Sequence, residues 1–365
     1  MSSLQSRAGV KFAPPGPFAR ELTRRAHEAM KLVDGGRYGD GVQWLCALGA
    51  LCVGVAAYGL LLSGHFGSAS GSALIAIAAL SAFMLIVQVG HDAAHGSVSP
   101  RRWINDAIVY IVFALLGVDG AMWRDRHIRL HHHVANLPGT GIDADSVSVM
   151  RLAPDKPLRW WHRFQPIYGP LLYALGHLHL VWVEDIRGFL LGRATARNKS
   201  VKRPSVALFL SGKAIHVAVF LVLPGIMLNP PCLLLVLGYV FASVLVAICF
   251  VILVVGTHVS DRAAFPIPNE AGELSHDWAT HQIITSIDWS PTSHVAALLS
   301  GGANAHVAHH LFPGVNHRHM PILSQVVARV AADHGVPYEV TSFAGMVVGH
   351  WRHLVRLGTC QGSQA

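Results

Sequence analysis

Polar residues are nearly absent from four long stretches of this chain, and the apolar run inside each is continuous rather than periodic. The stretches are Trp44–Ser63, Ala73–Gly90, Val206–Leu228 and Cys232–Gly256. A surface helix of a soluble protein alternates apolar and polar faces with a period near 3.6 residues. These stretches have no such alternation, and each is close to the ~20 residues a helix needs to cross the bilayer core. The pattern predicts an all-α integral membrane protein with four transmembrane helices in two hairpins, closed by short turns at His65–Gly71 and Asn229–Pro231. Ile108–Val118 is apolar but too short to span, and Tyr168–Val183 is interrupted by His177 and His179. Both are read as interfacial segments.

Composition agrees with this pattern and excludes a soluble class. Of 365 residues, 52% are hydrophobic and only 13% charged, where a soluble domain carries about 25% charged residues. The few charges are unevenly placed. Apart from Lys213 inside the third span, every Lys and Arg falls in residues 1–42, 91–204 or 257–365. By the positive-inside rule, both termini and the long middle segment are expected on the cytosolic side. The same bias accounts for the formal net charge of +8. No basic helix stands beside stacking aromatics, so nucleic acid is not an expected partner, whereas membrane lipid is. The first forty residues lack the apolar core of a secretory signal. Five cysteines include no CxxC pair, which argues against an iron–sulfur module.

The 24 histidines carry the candidate chemistry. Three clusters stand out: His91-Asp-Ala-Ala-His95, His127-Ile-Arg-Leu-His131-His132 with His133 following, and His306-Val-Ala-His309-His310. Separations of three and four residues put rings on one helix face, one turn apart. Each cluster lies on the expected cytosolic side, so the rings can converge on a common centre at the membrane surface. Imidazole nitrogen suits iron, copper, zinc or nickel. Eight imidazoles exceed what one tetrahedral zinc requires, and two metal ions sharing them is the natural arrangement. His258, where the fourth span reaches the cytosol, is a ninth candidate ligand. His281 is read as an outer partner instead. Asp92, Asp143 and Asp145 are candidates to orient ligating rings through the free N–H, or are solvated loop acids. Asn304, two residues before His306, either holds a metal-bound water or shapes a turn.

These segments together resemble the membrane fatty-acid desaturases, and within them the linoleoyl-CoA/front-end branch. The resemblance is carried by Val10-Lys-Phe12, Gly90-His-Asp-Ala-Ala-His-Gly-Ser97, and Trp123-Arg with His127, His131-His132, Asn136 and Asp143-Ala-Asp145. It continues through His258-Val, Trp278, His281-Gln, Thr285, the run Gly301–Pro313 and His334-Gly-Val-Pro-Tyr338. It implies a cone of four transmembrane helices under a cytosolic helical cap with a histidine-rich di-metal site. Residues 43–365 would be the desaturase domain and residues 1–42 a cytosolic amino-terminal segment. It further implies a non-haem di-iron centre held by His91, His95, His127, His131, His132, His306, His309 and His310, with His258 added. Dioxygen would be the co-substrate and an acyl chain on coenzyme A, a carrier protein or a lipid the substrate. Hydroxylation on the same site is the neighbouring alternative, and a zinc-dependent membrane hydrolase or receptor-like protein the more distant one. No His-Pro-Gly-Gly haem motif occurs in the sequence, so neither haem nor flavin is expected. Electrons would come from a separate ferredoxin, or from cytochrome b5 with its reductase, and a bacterial inner membrane is the expected location. Two departures bear on specificity. His306 stands where the branch usually has Gln, and Val134 and Ala135 replace its aromatic and hydroxyl residues.

Overall fold

The computed structural model describes residues 10–33, 35–138, 149–194 and 205–359. The chain divides into two compact units, one made of Gly39–Asp125 with Leu171–Phe250, the other of the amino-terminal segment to Tyr38, Arg126–Pro170 and the chain from Val251 onward.

Among the described residues, four helices are long and apolar enough to cross a membrane: Gly41–Leu62, Ser68–Ala94, Val206–Leu228 and Cys232–Thr257. Three match the sequence reading closely, while the second is longer at both ends. Ser68–Ser72 lowers local hydropathy yet continues the helix, with the Ser70 hydroxyl donating to Gly67 O at 3.1 Å. At the other end a π-helical turn, Ile86–Gly90, leads without a break into His91–Ala94. The spans are apolar all round, and Leu45, Val55, Leu210, Leu233 and Phe250 stand exposed as lipid-facing side chains. Ends are set by local chemistry. The Asp40 carboxylate accepts from the Gln43 amide at 2.9 Å, and Asn229, in the left-handed region at φ 43°, ends the third span before two prolines. Close approach of the first two spans requires glycine at one point, since a Cβ on Gly54 would sit 2.9 Å from Ser81 Cβ.

Several buried polar groups inside this unit are paired, as a bilayer favours. Gln43 is fully buried and donates from Nε2 to Asp92 Oδ2 at 2.9 Å and to Gln88 O, tying the first span to the second. Lys213 Nζ donates to Asp185 Oδ2 at 2.9 Å and to the carbonyls of Gly117 and Val181. Asp185 also receives the Asp119 amide at 2.7 Å. The two apolar segments expected at the interface are short helices, Arg102–Leu115 and the broken series from Gln165 to Ala194.

The other unit is built around helices Pro17–Lys31 and Met320–His334. Phe18, Leu22 and Ala26 recur at four-residue spacing on the first and pack with Leu323, Val327 and Val330 of the second. Arg25 pairs with Asp333 at 3.0 Å beside this contact. Val307, Ala308 and Leu311 join the same core and so seat the third histidine helix on it. Among the described residues, two short parallel ladders interrupt this mostly helical unit: Lys11–Ala13 with Glu273–Asp277, and Asp288–Trp289 with Val340–Thr341.

Candidate metal centre

Three histidine-bearing segments of this second unit each lie at a local irregularity. His258 follows a single 3-10 turn, Val255–Thr257, that ends the fourth span. His127–His131 forms a π-helical turn. A π turn holds one residue more than an α turn and is common at functional sites. As a result His127 meets His132, five residues on, with their Nε2 atoms 3.0 Å apart. The third cluster follows Gly301 and Gly302, whose φ values of 58° and 82° favour glycine. A Cβ on Gly302 would also lie 2.7 Å from His317 Cβ.

Two groups of rings result. One ring nitrogen from each of His131, His258, His306 and His310 lies within 4.8 Å of the others, and all four residues are buried. The nitrogens of His127, His132 and His309 meet the same criterion in a second group. The groups adjoin, with the rings of His132 and His310 stacked at 4.3 Å. Sequence spacing put His127 and His131 together on one face, and their rings do stack at 5.0 Å. Their ligand nitrogens nonetheless enter different groups. His91 and His95 lie in the span-bearing unit, their rings 4.9 Å apart and His91 6.1 Å from the Trp123 ring.

Hydrogen bonds on the outer nitrogens determine what the inner ones can do. His258 Nδ1 donates to Thr285 O at 2.8 Å, and His310 Nδ1 donates to Gln282 Oε1 at 3.0 Å. With the proton on Nδ1, Nε2 of each ring is a bare lone pair. Yet these two Nε2 atoms stand 3.0 Å apart. His306 Nε2 is 2.8 Å from His258 Nε2, and His131 Nε2 is 3.1 Å from His310 Nε2. Lone pairs facing one another repel. Protonation would relieve this, but burial, followed by the charges of His258, His306 and His131, holds His310 well below the ordinary imidazole range. A metal cation among the four nitrogens resolves the conflict. The donor set fits one, since both groups consist of histidine alone, and imidazole suits first-row transition metals.

The groups rest on residues that position them. Gln282 and Thr285 fix two tautomers, as outer partners of metal ligands usually do. Asn136, at φ 55°, donates from Nδ2 to the carbonyls of His258, Ala264 and Thr285 at 3.0–3.2 Å. It joins the second histidine segment to the loop that holds His258. His281 turns away from the groups, donating to Ala135 O at 3.0 Å and accepting from His276 at 3.1 Å. Burial, then the neighbouring His276, pushes it down to about 3. Phe12 packs edge-on against it at 5.2 Å and against His133 at 5.8 Å.

The remaining sequence candidates fall as follows. Asp92 is buried beside Gln43, its Oδ1 3.9 Å from His91 Nδ1. Asn304 is buried and donates to Ser290 O at 3.0 Å, while Ser300 Oγ donates to its Oδ1 at 3.3 Å, so it braces a turn. Asp143 and Asp145 lie outside the described residues. Gln282 and Asp288 carry no spacing signal in the sequence, although Gln282 directly follows His281. Asp288 is fully buried, accepts from the Val307 amide at 2.7 Å and from the Tyr338 hydroxyl, and burial pushes it up to about 7.

Comparison with known proteins places this geometry in a family. An acyl-lipid (8-3)-desaturase of Physcomitrium patens is 31% identical over 280 residues, covering 74% of this chain and 57% of that protein. An sn-1 linoleoyl-lipid 6-desaturase of Arthrospira platensis is 27% identical over 275 residues, covering 74% and 73%. An sn-1 linoleoyl-lipid 6-desaturase of Synechocystis is 26% identical over 294 residues, covering 79% and 80%. This chain thus spans little more than half of the Physcomitrium relative's length and most of the other two. The model of the fatty acid desaturase family matches residues 69–342, a stretch holding all three histidine clusters, and the chain belongs to that family.

Proposed function

We propose that this membrane protein is an oxygen-dependent acyl-lipid desaturase that introduces a double bond into an acyl chain with externally supplied electrons. The observation that carries the reading is the convergence of seven imidazoles in two adjoining groups, with the outer nitrogens of His258 and His310 pinned and their bare lone pairs turned on one another. Two iron ions are the proposed occupants. His131, His258, His306 and His310 would hold one, and His127, His132 and His309 the other; His91 and His95 are proposed as ligands on the sequence pattern alone. Bound there, iron supplies dioxygen activation and removal of hydrogen from an unactivated methylene.

The chain's own residues supply the rest. Gln282 and Thr285 keep His310 and His258 in the tautomer that binds metal. The buried aliphatic shell of Val307, Ala308 and Leu311 keeps bulk water from the third helix. The acyl-lipid substrate is inferred from the relatives, whose names specify acyl or linoleoyl lipids. A ferredoxin, or cytochrome b5 with its reductase, would deliver the electrons. Both termini and the histidine clusters are assigned to the cytosolic face from the Lys and Arg distribution, in what we take to be a bacterial inner membrane.

The test is a fatty-acid profile by gas chromatography–mass spectrometry, from cells expressing the wild type or His309→Ala. Acyl chains lighter by two hydrogens, seen only with the wild type, are the expected result, and their fragmentation locates the double bond. Chains heavier by one oxygen would replace desaturation with hydroxylation. Identical profiles from both strains, in cells also supplying a ferredoxin and its reductase, would count against an oxidative function.

A further inference from the structure

The motif His334-Gly-Val-Pro-Tyr338 has no role in the metal site as described so far, and its place in the fold suggests one. Helix Met320–His334 ends at Gly335, φ 64°. The chain then turns back so that Val340–Thr341 pairs with Asp288–Trp289, with Asp288 N donating to Glu339 O at 3.0 Å. This return brings the Tyr338 hydroxyl onto Asp288 Oδ2. The other carboxylate oxygen, Oδ1, accepts the Val307 amide at 2.7 Å.

Val307 is the second residue of the helix His306–Leu311. The first amides of any helix lack intrahelical acceptors. Here the residue before the helix, Ala305, offers no side-chain cap. A helix of six residues is also too short to hold itself together. It nevertheless carries His306, His309 and His310, so fraying of its first turn displaces ligands of both groups. Asp288 supplies the missing cap from a neighbouring strand, and Tyr338 occupies the carboxylate's second oxygen. Asp288 is fully buried, which makes any loss of a partner costly.

We propose that Asp288 and Tyr338 are a positioning pair, a carboxylate cap and its clamp, that sets the register of the third histidine helix and so the metal affinity of both groups. The proposal rests on the metal-binding reading above.

Cobalt(II), whose visible absorption reports coordination geometry, is the probe. It is titrated anaerobically into the purified full chain in lipid nanodiscs, with bound metal counted by elemental analysis and folding followed by thermal midpoint. Asp288→Ala should weaken cobalt binding about 10- to 100-fold, the range for lost outer partners of metal ligands, and change the absorption bands. Tyr338→Phe should change both in the same direction by less. Asp288→Asn, which keeps an oxygen for the Val307 amide, should recover most of the wild-type affinity and spectrum. A folded Asp288→Ala protein with wild-type affinity and bands would overturn the proposal. So would a lowered midpoint with unchanged bands, the mark of a merely structural role. Should Asp288→Ala fail to fold, Tyr338→Phe decides: wild-type affinity and bands there also reject the pair. A wild type that binds no cobalt would instead reject the metal reading on which the proposal stands.

Discussion

His309 and His310 are neighbours in the chain, yet their rings enter different groups. His310 Nε2 lies 3.1 Å from His131 Nε2, and His309 Nε2 lies 3.1 Å from His132 Nε2. The two rings are nearly perpendicular, at 87°. The second cluster repeats the device, with His131 and His132 divided in the same way. Each His-His pair therefore reaches into both groups at once, and the six-residue helix that carries one pair joins them.

That division makes the two substitutions distinguishable. Alanine at His310 should lower occupancy chiefly in the buried group of four, and alanine at His309 in the other. Each should reduce product formation by at least about 100-fold, more than loss of an outer partner costs. Metal content per protein, measured by elemental analysis after iron reconstitution, should fall by about one equivalent in each. Full iron content in both variants would contradict the assignment.

Gln282 should matter through His310 alone. Gln282→Leu removes the oxygen that accepts His310 Nδ1–H, freeing the ring to turn or change tautomer. Metal affinity should drop about 10- to 100-fold. Gln282→Glu keeps an acceptor and should retain most of it. Competition against a chelator of known affinity reads the difference, and equal affinities in all three proteins would dismiss the role.

Acid sensitivity is expected from His353. It is fully buried and donates from Nε2 to Leu152 O at 2.8 Å, and burial pushes it down to about 4. The sign follows from the two states. Above pH ~6.5 both are neutral and the residue adds no pH dependence. Between ~6.5 and ~4 the unfolded chain takes up a proton that the folded one refuses. Stability therefore falls with pH through that window, by ~3 kcal/mol in total. Thermal midpoints in nanodiscs at several pH values should decline over this range, and His353→Gln should flatten that part of the curve. An unchanged slope in the variant would place the acid sensitivity elsewhere.

Packing of the first two spans should depend on Gly54. A leucine there must displace Ser81, whose Cβ would lie 2.9 Å from the new Cβ. The expected loss is about 1–3 kcal/mol, as for other overpacked sites. Size-exclusion profiles after graded heating would register it, with Gly49→Leu as the control, since nothing lies within 4 Å of a Cβ at Gly49.

Much of the fold was legible because its signals are local. An apolar run either is or is not long enough to cross a bilayer, and all four spans follow from that. Only the second helix clearly outruns its apolar stretch, because Ser68–Ser72 begins a helix that its hydropathy does not announce and His91–Ala94 prolongs it. The histidine candidates were legible for a similar reason: imidazole clusters this dense have few uses other than metal. The residues that position them were harder to see. Gln282 and Asp288 are ordinary polar residues whose roles exist only because the fold brings them to His310 and Val307, on a different element.

By itself, the sequence determined the number of spans, the residue type that forms the candidate metal centre and the positions proposed to supply it. These follow from bilayer thickness and donor chemistry acting on short segments. Which histidine shares a centre with which was decided by the tertiary structure. Spacing put His127 with His131, but a π turn carries its ligand nitrogen to His132 and His309, and His131 goes to His258, His306 and His310. One extra residue in a helical turn rotates every later side chain by about 100°. Only the packing of segments more than a hundred residues apart can pay for that turn and choose where it falls.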